Sequence, residues 1–359
     1  FLFAMWVRPY LYERPKPVIT SCDSGLLGLD RNSGRESIRV FEAIADAIIG
    51  DDPDLAADCA YNIGGLAVFN REMSLLLNKT DMMKNIIAAT RKHQKHKKTM
   101  TAMMMQIASL SSYVVPELTP YVKQLGGFDA LFENLEAWRH DGDVTFSVWA
   151  GLSDHSHSEV GAESIAHYGG HMEGVKYIVK QIKTYTKKGW GDQGNGLTNM
   201  YESMQNVNGL LEVDGLHAWR FGYTDAFVDA GVVEQIIRMM FSEPEFRTTN
   251  DVACQCLSWL AAKDVNIRSQ LVKAGVIGAI SKAFDTFHDD DPTYFNGGTI
   301  GDNFQVQPGC TAVLNHLAKE DSGRTEMIRQ GIPAKLESVR PQHRETVRQL
   351  KDVLDGHAG

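Results

Sequence analysis

The chain has 359 residues, enough for two or three compact domains or one extended repeat array. Its 43% hydrophobic and 23% charged content excludes a disordered tail and a collagen-like fibre. With 36 Lys and Arg against 45 Asp and Glu, the formal net charge is −9, so no nucleic acid partner is expected and no bulk attraction to an anionic membrane.

The opening run FLFAMWV (1–7) is far short of the ~20 apolar residues that cross a bilayer, and no membrane span is expected. Because the first residue is Phe1 and not Met, residues either have been removed by processing or lie before it. The segment FLFAMWVRPYLYERPKP combines Trp6, Tyr10 and Tyr12 with Pro9, Pro15 and Pro17, which block a continuous helix. It reads as an extended arm over residues 1–34, its aromatics lying on the protein's own body or on a partner. Cys22, Cys59, Cys254, Cys256 and Cys310 are scattered and odd in number, which does not suit a disulfide framework. A reducing intracellular compartment is expected, cytoplasmic by default, with an organellar (for example mitochondrial) or ciliary site also compatible.

Beyond residue 35 apolar residues recur at three- and four-residue spacing, as in Val40, Ile44, Ala47 and Ile48 or Val233, Ile236, Ile237 and Met240. No alternating β-branched run interrupts them, so the fold class is all-α. The basic run RKHQKHKK (91–98) is expected as a solvated loop between helices, with contact to an acidic partner or a phosphate-rich ligand as the functional alternative. The Met-rich stretch that follows reads as core. Asp154, His155, His157 and Glu159 in DHSHSE read as a polar loop, because two histidines two apart do not share a helix face. GWGDQGNG (189–196) follows a helix and lacks the Gly-Lys-Ser/Thr ending of a phosphate cradle. Cys254 and Cys256 read as small buried hydrophobes and not as zinc ligands. No cofactor, metal site or catalytic constellation is expected.

One punctuation recurs: an apolar helix end, a glycine, then a new apolar helix. Its copies close at Gly127, Gly170, Gly231, Gly275 and Gly331, at intervals of 43, 61, 44 and 56 residues. A short helix reversing into the next needs a left-handed closing residue, which glycine supplies without steric cost. A second signature, an apolar helix end with a small residue, appears as NIGGLA (62–67), QIASLS (106–111), VWAGLS (148–153), CLSWLA (256–261) and VLNHLA (313–318).

On these residues the chain resembles the armadillo-repeat family, most clearly over 221–339 and more faintly toward the N-terminus. The resemblance implies a right-handed α-solenoid of three-helix repeats, about six to seven units over residues 35–356. Its third helices would line a concave groove that holds proteins. Many peptide-binding members carry an Asn before the final Leu-Ala and a Trp one turn earlier. Here the Asn position reads Gly65, Ser109, Gly151, Gly209, Trp259 and His316, and the earlier position reads Tyr61, Met105, Ser147, Gln205, Gln255 and Ala312. That departure disfavours a nuclear-import receptor of the importin-α kind. Tyr61, Gln205, Gln255, Trp259 and His316 remain candidate contacts, and Trp259 either faces the groove or fills space between third helices.

Insertions are expected near 186–196, 212–222 and 288–304. The first and last fall between second and third helices and carry Trp190 and Tyr294, Phe295 and Phe304, which fold back or form an interface. The function expected is a non-catalytic scaffold or architectural subunit of a multiprotein assembly, its partners other proteins. The alternative is a regulatory domain that binds a small phosphate-bearing ligand through His316, Trp259 and the basic run.

Overall fold

The computed structural model describes residues 34–67, 71–77, 79–110, 115–187, 196–287, 306–339 and 344–356. Every regular element among them is helical. The first eleven helices are α1 (Gly34–Ile48), α2 (Pro53–Ala67), α3 (Arg71–Leu77), α4 (Met82–Lys92), α5 (Lys97–Ser109), α6 (Thr119–Gln124), α7 (Gly127–Ala137), α8 (Gly142–Ser156), α9 (Glu159–Ala166), α10 (Glu173–Lys187) and α11 (Gly196–Leu216). Then follow α12 (Tyr223–Asp229), α13 (Val232–Ser242), α14 (Arg247–Lys263), α15 (Val265–Ala274), α16 (Val276–Thr286), α17 (Val306–Leu317), α18 (Asp321–Arg329), α19 (Ile332–Lys335) and α20 (Arg344–Leu354). From α3 onward they read as triplets of first, second and third helix, α5, α8, α11, α14 and α17 being third helices and α2 their counterpart at the start.

Two compact units result. One holds α1 to α9 with the start of α11 up to Glu202; the other holds α10, α11 from Ser203 onward, and α12 to α20. In the first unit Phe41, Ile44, Ile63, Ile86, Met103, Phe132 and Trp149 are buried, and α2 packs on α5 and α5 on α8. In the second, Tyr223, Phe227, Ile236, Leu257, Ile280 and Leu314 are buried, and α14 packs on α17. Such side chains each contribute about 1.5–3 kcal/mol of burial, more than helix propensity supplies.

Gly231, Gly275 and Gly331 stand between first and second helices with φ of 84°, 91° and 70°, the left-handed state the sequence calls for. The equivalent residue before α7 is Gly126 (φ 76°) and not Gly127. Gly127 begins the helix and is small for another reason: a Cβ there would fall 2.4 Å from Val122 Cγ1.

Neighbouring third helices meet at a glycine, and each glycine is covered differently. A Cβ on Gly64 would fall 1.7 Å from Gln106 Oε1, and one on Gly151 would lie 3.3 Å from the Met104 carbonyl. In the second unit a Cβ on Gly215 would fall 2.7 Å from the Trp259 ring, and one on Gly309 would lie 3.3 Å from Cys254 Cβ. The turn from a third helix into the next first helix has its own requirement. Gly161 in α9 and Gly323 in α18 would place a Cβ 2.0 Å from the His155 carbonyl oxygen and 2.1 Å from that of Leu317. Backbone cannot yield that far, so only glycine fits.

Residues 212–216, expected in an insertion, continue α11, and the turn begins at His217. Ala218 and Trp219 take φ of 56° and 57°, a left-handed state costing about 1–2 kcal/mol per residue with a side chain. Asp214, fully buried, holds this turn. Its Oδ1 accepts the N–H groups of Phe221 (3.0 Å) and Gly222 (3.2 Å), and its Oδ2 accepts that of Thr224 (2.8 Å).

The cysteines depart from expectation. Cys254 on α14 and Cys310 on α17 form a disulfide, Cys59 on α2 is also disulfide-bonded, and Cys256 is a free, buried thiol. Sequence spacing could not reveal the pairing, because Cys254 and Cys310 are 56 residues apart and are brought together only when α17 stacks on α14.

Candidate functional site

The third helices carry the residues singled out from sequence. Tyr61 on α2 is 41% exposed, among the most open large apolar side chains of the described residues. In the second unit Gln205 on α11, Gln255 and Trp259 on α14, and His316 on α17 are each partly exposed. Trp6, Tyr10, Tyr12, Trp190, Tyr294, Phe295 and Phe304 lie outside the described residues.

One of these residues, Gln255, belongs to a polar chain that sequence reasoning missed. Asn208 Nδ2 donates to Gln255 Oε1 (3.2 Å), and Gln255 Nε2 donates to Asp251 Oδ2 (3.0 Å), linking α11 to α14. Burial pushes the Asp251 carboxyl up to about 6, against the opposing pull of Gln255 and Arg247. The signal available was Asp251 and Gln255 at i,i+4 among the apolar residues of α14. Trp259 lies on Gly215, so its ring fills the space between α11 and α14 while part of it stays open. Burial, followed by the nearby Lys319 and Arg268, lowers the His316 pKa and favours neutral imidazole, a poor anchor for phosphate.

In the first unit, burial and then the neighbouring Asp154 raise Glu202 to about 7, with Ser153 hydrogen bonding opposing. DHSHSE is not a polar loop: Asp154, His155 and Ser156 end α8, and His155 is fully buried. Its Nδ1 lies 3.3 Å from Thr119 Oγ1 and its Nε2 3.4 Å from the Ile107 carbonyl, its ring edge-on to Phe128. Burial drives its pKa down to about 4, so it is a neutral core residue at neutral pH. Among the described residues no three His, Cys, Asp or Glu side chains are placed to hold a metal ion.

The basic run is mostly exposed around the turn between α4 and α5, as expected of a solvated segment, and its side chains also reach the helices around it. Arg91 pairs with Glu133 (3.6 Å), and Lys92 reaches both Asp51 (2.7 Å) and the Ile49 carbonyl (2.7 Å). His93 Nε2 is 3.0 Å from the Gly50 carbonyl. Lys97 bridges Asp141 (3.0 Å) and Asp143 (2.6 Å) at the start of α8, while Lys98 bridges Asp54 (3.5 Å) and Asp58 (2.7 Å) on α2. These side chains link successive repeats while remaining partly exposed. Met100, Met103 and Met104 are buried and Met105 is partly exposed, as core methionines.

Comparison with solved structures places this geometry. An engineered protein of known crystal structure matches with a TM-score of 0.67 at 15% identity, over 89% of this chain and 70% of its own. A computationally designed armadillo repeat protein for modular peptide recognition matches at 0.57 and 11% identity, over 77% of this chain and 99% of its own. The fold is an armadillo-like α-solenoid. A further designed armadillo repeat protein agrees, with a TM-score of 0.54 at 12% identity over the same 77% of this chain and 99% of its own. No protein-family model matches the sequence, and no curated protein matches it either. Among the described residues of this armadillo-like chain, no helix is long and apolar enough to cross a membrane.

Proposed function

We propose that the protein is a non-catalytic scaffold, a subunit that holds other proteins in a larger assembly. The reading rests on one observation: Tyr61, Gln205, Gln255 and Trp259 stay open to solvent on third helices whose remaining faces are packed. An armadillo-like fold commonly serves protein binding, and one of the similar solved proteins was designed for peptide recognition. The N-terminal arm and the aromatic insertions at 186–196 and 288–304 are proposed as further contacts.

The test is recovery of the tagged full chain from its own cells at moderate salt, with mass spectrometry of the co-purifying proteins. Tyr61→Ala with Gln255→Lys is expected to release partners held by the third-helix face. Deletion of 289–303 is expected to release those held by the insertion. Helical circular dichroism should stay nearly intact in both. A partner set unchanged by either alteration would overturn the reading.

A further inference from the structure

Cys254 and Cys310 are both wholly buried, at 0% exposure, and sit on consecutive third helices with Cα atoms 4.9 Å apart, inside the range a disulfide spans without backbone movement. The neighbouring residue is shaped for the bond: Gly309, next to Cys310, has its absent Cβ 3.3 Å from Cys254 Cβ, so a larger residue there would crowd the two helices at the bridge. Cys256 cannot substitute. It lies two residues along α14 and so points away from Cys254, and its Sγ is turned to the Met204 carbonyl (3.7 Å) on α11. A sulfur pair sealed in this way is out of reach of dissolved reductants while α17 is seated on α14. It must therefore form before or during that docking, with an oxidant present.

We infer that Cys254–Cys310 is a covalent rivet formed as the chain folds in an oxidising compartment, and that the stability of the α14–α17 pair depends on it. The chemistry balances by disulfide exchange. The Cys254 thiolate attacks the disulfide of a thiol oxidant, such as oxidised glutathione or a disulfide oxidoreductase, releasing one oxidant thiol and leaving a mixed disulfide. The Cys310 thiolate then attacks the Cys254 sulfur and releases the second oxidant thiol. Two protein thiols are oxidised and one oxidant disulfide is reduced to two thiols.

The test takes the full-length protein from its own cells, with thiols trapped by alkylation during acid quenching, followed by non-reducing tryptic digestion. The Thr248–Lys263 peptide should be recovered joined to the peptide containing Cys310, and fragmentation should place the link on Cys254 with Cys256 alkylated. Recovery of all three thiols alkylated, or a link through Cys256, would overturn the inference. As a second readout, purified oxidised protein should lose about 5–10 °C of melting temperature on reduction under denaturing pulse and refolding. Cys254→Ala/Cys310→Ala should show a smaller redox-dependent shift than the unaltered protein, the remainder belonging to the disulfide of Cys59, and an undiminished shift would overturn the inference. If that variant does not fold, Cys256→Ala serves in its place: it should keep the full redox-dependent shift, and its loss would sink the assignment.

Discussion

The two compact units solve one packing problem and reinforce the answer differently. In both, third helices meet at a glycine covered by a neighbour's side chain or backbone, and both use a glycine where a third helix turns into the next first helix. The first unit then adds ion pairs around its repeats, with Lys97 and Lys98 each spanning two aspartates. The second also carries ion pairs, Arg268 with Glu320 (2.8 Å) among them, and, as the first has a disulfide-bonded Cys59, it has the Cys254–Cys310 disulfide, to which it adds the part-buried Asn208–Gln255–Asp251 chain. Exposed ion pairs contribute only about 0.2–1 kcal/mol each and are screened by salt, whereas a bridge or a buried polar chain is indifferent to salt and sensitive to redox state or pH. The α14 interfaces of the second unit thus answer to redox state and pH as well as to salt.

The largest break in this comparison should come from Leu257→Pro, which removes a helical hydrogen bond in the middle of α14 at a cost of about 3 kcal/mol or more. Hydrogen exchange should rise throughout α12 to α17, and a change confined to α14 alone would contradict a shared core. Next come Gly161→Val and Gly323→Val, one in each unit. Each forces a Cβ against a carbonyl at 2.0 or 2.1 Å and is expected to destabilise its own unit by about 2–4 kcal/mol in urea unfolding. Equal costs would confirm a device common to both units.

A smaller effect separates the units by pH. Asp251 has a folded pKa above its unfolded value, so the folded state holds the proton more tightly and this group adds stability as pH falls from about 6 toward 4. Asp251→Asn should therefore stabilise the second unit by about 1–2 kcal/mol at pH 8 and hardly at all at pH 4. His155 has the opposite sign: its depressed pKa means stability is lost as pH falls from 6.5 toward 4. The smallest effect is ionic. Lys97→Ala/Lys98→Ala should cost the first unit under about 1 kcal/mol and leave exchange in α14 and α17 unchanged.

Sequence periodicity carried far where the physics is local. Helical spacing, the left-handed glycines at 231, 275 and 331, and the small residues at third-helix ends are all set by neighbours within a few positions, and all are present. What escaped depends on residues more than 40 positions away. Lys92 is a loop charge until Ile49 and Asp51 are beside it, and Cys254 is a small hydrophobe until Cys310 arrives. Tyr61 and Gln255 were legible as candidates on the third-helix face and Asp251 lay within reach as the i,i+4 partner of Gln255, while Asn208 was not legible, because its role exists only between two helices.

The glycine contacts between third helices carry a consequence for how such a chain can change. An amide covers Gly64, a backbone carbonyl faces Gly151, an indole lies on Gly215 and a half-cystine abuts Gly309. Each of these four junctions is keyed to its own pair, so duplicating, deleting or shuffling a repeat there would set an indole against a backbone with no recess for it, or leave a recess empty. The array looks modular in outline, yet its pieces are not interchangeable parts.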